Sequence, residues 1–160
     1  MGQYTTVAKP TITVDTSAYA DGDDIAGKIT VSVARGKGGA GLLTRLQLRS
    51  RTNITVQTFL HVFDRNPSAS TFTKNSAMAL ASADYAKLLK TFAVAAADWV
   101  APKGVSPWYT VELLTPATLP FLAYDLGQDD AAVYLAFEAD GAITFGGADY
   151  FGLIACSDND

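Results

Sequence analysis

Residues 38–64 read GGAGLLTRLQLRSRTNITVQTFLHVFD and hold two apolar/polar alternations separated by a short polar turn. In the first, Leu42, Thr44, Leu46 and Leu48 fall on one face and Leu43, Arg45, Gln47, Arg49 and Arg51 on the other, the period of two of a strand with one buried side. In the second, Ile54, Val56, Leu60 and Val62 share a face, while Thr55, Gln57 and His61 point away together with Phe59 and Phe63. Arg51-Thr52-Asn53 supplies the polar connection, and Asn53 tolerates a left-handed backbone. The stretch predicts a β-hairpin of fixed register, because a slip of one residue would turn the leucines outward.

Outward from this stretch the signals remain those of strands and turns. Ile25 to Val33 alternates ahead of the glycine-rich connection 35–41, and Thr11 to Asp15 alternates briefly before the Asp21-Gly22-Asp23-Asp24 turn. Residues 1–10 carry no periodicity and end in Lys9-Pro10, so they read as an arm. Downstream, Asp64 to Pro67 stops the second strand, Ser82 to Leu89 reads as a short capped helix, and strands follow at about 89–96, 108–114, 119–124, 132–138 and 150–156. Residues 157–160 form a polar tail. The expected architecture is an all-β domain over 11–156, a two-sheet β-sandwich of jelly-roll type with one short helix.

Composition agrees with that class. The chain has 160 residues, 49% of them hydrophobic, which suits one domain with a sizeable core. The formal charge of −4 provides no global field for nucleic acid or an anionic membrane. No segment approaches the roughly 20 apolar residues of a membrane helix. The single cysteine, Cys156, lies in an apolar run and reads as a buried small hydrophobe.

From Gly27 to Val94 the order of elements resembles small head-associated virion proteins of tailed bacteriophages. The pieces that match are the Gly38-Gly39 turn, the leucine-rich strand, a strand ending in Phe63-Asp64 with Pro67 nearby, a serine- and alanine-rich stretch with the Ala83-Asp84 step, and the return strand Phe92-Ala93-Val94. The resemblance implies a non-enzymatic capsid-binding protein that stabilises or decorates the head. Its expected partner is the major capsid protein, and its expected form a homo-oligomer, with a trimer favoured. A carbohydrate- or receptor-binding sandwich is the alternative.

No residue set points to catalysis, a cofactor or a metal. His61 is the only histidine, and Asp64, three residues on, falls on the other side of the same strand, so the two do not form an oriented base and carboxylate. Asp21, Asp23 and Asp24 fail the spacing of a calcium loop, as do Asp125, Asp129 and Asp130. The run 36–41 lacks the Gly-Lys-Ser/Thr order and following helix of a phosphate loop. Glu112 and Glu138 are the pair of carboxylates that a hydrolase would have to use. The candidate partner contacts are Arg45, Arg49 and Arg51 on the polar side of the first strand, Lys37 in the glycine-rich loop, and Trp99 and Trp108 in an aromatic-rich third of the chain. A solvated strand face and a buried aromatic core are the plainer readings of the same residues.

Overall fold

The computed structural model describes residues 4–33, 37–103, 108–114, 122–126, 130–146 and 150–159, with the backbone alone at residues 4, 5, 11 and 150–159. Ten strands are present: β1 Tyr4–Ala8, β2 Thr11–Thr13, β3 Ile29–Ser32, β4 Ala40–Ser50, β5 Gln57–Phe63, β6 Leu88–Val94, β7 Tyr109–Leu114, β8 Leu122–Asp125, β9 Ala132–Asp140 and β10 Tyr150–Asn159. They form two antiparallel sheets. The first has the order β1-β10-β4-β7, with β2 also on β10 and β8 also on β4; the second has the order β3-β9-β5-β6. Leu43, Leu46, Leu48, Val111 and Leu114 of the first sheet bury against Val31, Leu60, Val62, Val133, Leu135 and Phe137 of the second in one core. The pairing establishes a sandwich; it does not establish a jelly-roll winding.

The predicted hairpin does not form. β4 pairs with β10, β7 and β8, whereas β5 pairs with β6 and β9, so the two alternating strands lie in opposite sheets. Each strand carries one apolar face, and placing the two in different sheets sets those faces against each other across the core. The connection between them is held from within: Ile54 is buried, and Ser50 Oγ donates to the carbonyl of Thr52 at 2.8 Å.

The alternation in β4 also changes phase. Arg45 pairs with Cys156 and Leu43 with Ser157, which leaves Thr44 as an extra residue, a β-bulge. Beyond it the inward positions shift by one, so Leu43 is buried and Leu42 exposed, the reverse of the unbroken period.

The segment read as an arm contains β1, and the polar tail is the end of β10; Tyr4–Ala8 pairs with Ala155–Asn159. Neither segment has an apolar period; β1 is a strand because β10 supplies its ladder of hydrogen bonds, and residues 157–159 are one because they run between β1 and β4. The predicted capped helix is a 3-10 turn, Ser82–Lys87, whose N-cap is Ala81 with no side-chain bond; a second such turn spans Ala96–Asp98.

Residues 64–87 fold over the outer face of the second sheet. There Phe63, Ala132, Tyr134 and Ala136 form a second apolar cluster, against which Phe72, Met78, Leu80 and Leu88 pack. Three aspartates fasten this cover, two of them through their carboxylates. Asp130 accepts from the Asn66 amide at 3.0 Å and from the Tyr134 hydroxyl at 2.6 Å. Burial and this carboxylate push the Tyr134 phenol up to about 12, so it remains a neutral donor. Asp84, itself buried, accepts from the Ala69 amide, Ser70 Oγ and Lys87 Nζ at 2.9, 2.6 and 2.7 Å. At Asp24 the attachment is through the main chain: its amide donates to Ser76 O and its carbonyl accepts from the Asn75 amide, at 2.9 and 2.8 Å. Asn75 reaches this position with φ of 55°, a left-handed conformation that asparagine tolerates better than most residues.

Candidate functional site

Among the described residues, the outer face of the first sheet carries exposed side chains, Arg45 and Arg49 among them, around the buried Gln47. Because directly opposed residues in antiparallel strands share a face, its layout follows from the register. Gln47 faces Glu112, Arg49 faces Thr110, and Thr110 in turn exchanges two backbone hydrogen bonds of 2.9 Å with Val100. On the other side Arg45 faces Cys156, which faces Val7. Val7, Leu42 and Val100, three of the four exposed large hydrophobic residues among those described, therefore border the same face as the arginines. The fourth, Tyr85, lies on the 3-10 turn.

The polar groups on this face hold one another in place. Arg45 Nη2 pairs with Glu112 Oε1 at 3.2 Å, Gln47 Nε2 donates to the same oxygen, and Arg49 Nε donates to Gln47 Oε1 at 2.8 Å. Arg51 lies over the Trp108 ring, with its Cζ 5.4 Å from the centroid. An exposed ion pair adds about 0–1 kcal/mol to stability; the larger effect of these contacts is that planar guanidinium groups are oriented before a partner arrives. Three arginines against Glu112 make the strip basic in a chain whose formal charge is −4. Arginine and tryptophan beside exposed aliphatic groups form the composition enriched at protein interfaces and their binding hot spots.

The structure divides the other candidates. Trp99 is buried in the core and presents no contact surface, so the partner role expected of it is corrected; Tyr124 is buried likewise. Lys37 is exposed, but it precedes the start of the 11-residue β4 while Arg51 follows its end, which puts about 30 Å of strand between them. Of the other aromatic residues of the carbohydrate reading, Trp108 packs with Arg51, and Phe121 lies outside the described residues.

The acidic turns use their carboxylates locally, Asp23 accepting from the Ala20 amide at 2.8 Å and Asp24 from the Ala26 and Gly27 amides at 3.1 and 2.9 Å. Among the described residues no group of acidic, histidine or cysteine side chains has the arrangement of a metal site. Gly127 and Asp129, like residues 34–36 of the glycine-rich loop, lie outside those described, as does the Cys156 side chain. Glu112 and Glu138 stand on opposite outer faces of the sandwich, which rules out a shared catalytic role for them.

His61 is 6% exposed and bridges two strands: Nδ1 meets Thr91 Oγ1 at 2.9 Å and Nε2 meets Glu138 Oε2 at 3.0 Å. Its partner is thus a carboxylate 77 positions away in the sequence, which no local spacing could have indicated. The apolar members Val7, Leu42 and Val100 were equally hidden, the first in a segment without periodicity and the second behind the bulge.

No family model, curated protein or solved structure matches this chain.

Proposed function

We propose that this chain is a non-enzymatic structural protein of a tailed-phage virion, which binds the capsid surface through the outer face of its first sheet and stabilises or decorates the head. The observation that carries this reading is the exposed strip of Arg45, Arg49 and Arg51, with Arg51 stacked on Trp108 and with Val7, Leu42 and Val100 beside it. Contrast with the other sheet supports it: residues 64–87 pack over that face, while Arg45, Arg49, Val7, Leu42 and Val100 on this one are exposed. The complementary surface is carboxylate-bearing, since arginine's planar fork makes paired hydrogen bonds to carboxylates. The resemblance over 27–94 names the major capsid protein as that partner. A homo-oligomer, a trimer first, would engage several capsid subunits together and turn weak single contacts into firm attachment.

The test is co-sedimentation of the purified chain with heads of its own phage prepared without it. Wild type is expected to pellet with the heads, less so as salt rises, and an Arg49→Glu/Arg51→Glu double variant to stay in the supernatant. Failure of wild type to bind, or wild-type binding by the double variant, would defeat the reading.

A further inference from the structure

Beyond docking, the cover over the second sheet is held by the carboxylate of Asp84 and by the main chain of Asp24, two residues whose carboxyl groups favour opposite protonation states. Asp84 grips it as an anion. Its Oδ1 takes Lys87 Nζ, and its Oδ2 takes the Ala69 amide and Ser70 Oγ; Ser70 Oγ in turn accepts from the Ala81 amide at 3.0 Å. Lys87 Nζ also donates to the Asn66 carbonyl at 2.8 Å, so one ion pair ties both ends of the cover. Burial opposes the charged form of Asp84, but the bonds from Lys87 and Ser70 together with the Lys87 charge outweigh it and hold the carboxyl below its ordinary 3.8.

Asp24 faces the reverse conditions. It is 0% exposed, Oδ1 accepts the two amides of Ala26 and Gly27, and Oδ2 has no hydrogen-bond partner among the described residues. A buried carboxylate oxygen without a donor disfavours the anion. The groups around it are Glu138, opposite it on β9, His61 on β5, Lys74, bridged to it on the cover, and Asp23 and Tyr19 on its own segment. Burial raises the Asp24 carboxyl above its ordinary 3.8, outweighing the two amides and the attraction of His61 and Lys74. The same residue pins the cover through Asn75 and Ser76, and Gly27, whose amide it holds, adopts φ of 75° beneath the Phe72 carbonyl.

We propose that residues 64–87 are a proton-linked strap, gripped by the Asp84 carboxyl when that group is ionised and pinned by the main chain of Asp24 most firmly when the Asp24 carboxyl is neutral, so that it is tightest where the first is ionised and the second still protonated, and loosens as pH rises. The sign follows from linkage. Asp84, bound more strongly as an anion, loses its contribution as pH falls through its lowered folded value. Asp24, favouring the proton, loses its contribution as pH rises through its raised folded value. Loosening frees the face formed by Phe63, Tyr134 and Ala136.

Hydrogen exchange of the full chain, corrected for intrinsic rates, measures the strap directly. Peptides spanning 66–81 should lose protection by up to tenfold per pH unit, the limit for one proton, as pH rises from the ordinary carboxyl value of 3.8 to the raised Asp24 midpoint, and level off above it, while β9 peptides do not. Asp24→Asn should abolish that loss and Asp84→Asn the loss on the acid side, whereas His61→Gln should leave the Asp24-linked loss in place. A flat wild-type profile, an unchanged loss in Asp24→Asn, or its disappearance in His61→Gln overturns the proposal. Should Asp24→Asn not fold, carboxyl-carbon NMR of wild type decides. An Asp24 midpoint that is raised and coincides with strap loosening supports the strap; one at or below 3.8 refutes it.

Discussion

Arg51, just beyond the end of β4, lies with its guanidinium carbon 5.4 Å from the centre of the Trp108 ring, just ahead of the start of β7. The strands that carry them are paired, with Ser50 opposite Tyr109, so the next step outward brings these two side chains onto one face. A cation over an indole at a partly exposed site contributes about 0.5–1 kcal/mol.

Arg51→Ala should lower stability by about 0.5–1 kcal/mol in urea unfolding and change the emission of Trp108. Trp99, buried in the core, provides an internal reference in Trp108→Phe, where the Arg51 effect on fluorescence should vanish. An unchanged spectrum in Arg51→Ala would mean that the stack does not form in solution.

Asp84→Ala removes the acceptor of three hydrogen bonds and leaves Lys87 and Ser70 without it. Loss of one member of such a partly buried pair should cost about 2–3 kcal/mol in chemical denaturation. The difference from wild type should be full near neutral pH and shrink as pH falls below 3.8 toward the lowered folded value, because protonation deprives wild type of the same ion pair.

Thr58 sits in β5 at 0% exposure, facing the core, and its Oγ1 has no hydrogen-bond partner among the described residues. Valine has nearly the same shape without the hydroxyl. Thr58→Val should raise the unfolding free energy by about 1 kcal/mol, read from the urea midpoint at constant slope. A lower midpoint would show that the hydroxyl is satisfied.

Deleting Thr44 tests the bulge. Without the extra residue, Leu43 and Arg45 become neighbours opposite Ser157 and Cys156, and continuous pairing of β4 with β10 keeps Leu43, Leu46 and Leu48 on the core face. The deletion should therefore fold with a near-native near-ultraviolet circular dichroism spectrum; insoluble or molten protein would show that the bulge itself is required.

Strand content was legible because it depends on local period. Ile29 to Ser32, Leu46 to Ser50 and Leu60 to Phe63 each present a pattern that only a half-buried strand satisfies, and the arginines of β4 could be assigned to the outer face on the same ground. Pairing was not legible. Whether two adjacent alternating strands make a hairpin or cross between sheets depends on which other strands compete for their edges; here β9 and β10, far along the chain, take those places.

The sequence by itself determined an all-β chain of acidic charge with one basic strip, since alternation and charge are carried residue by residue. Only tertiary structure decided that β4 and β5 face each other across the core, that Val7 and Val100 join the arginine face, and that His61 meets Glu138 and Thr91. Those relations join residues far apart in the chain. Their free energy comes from burial and hydrogen bonding that exist only once the sheets are assembled, and no window of sequence contains them.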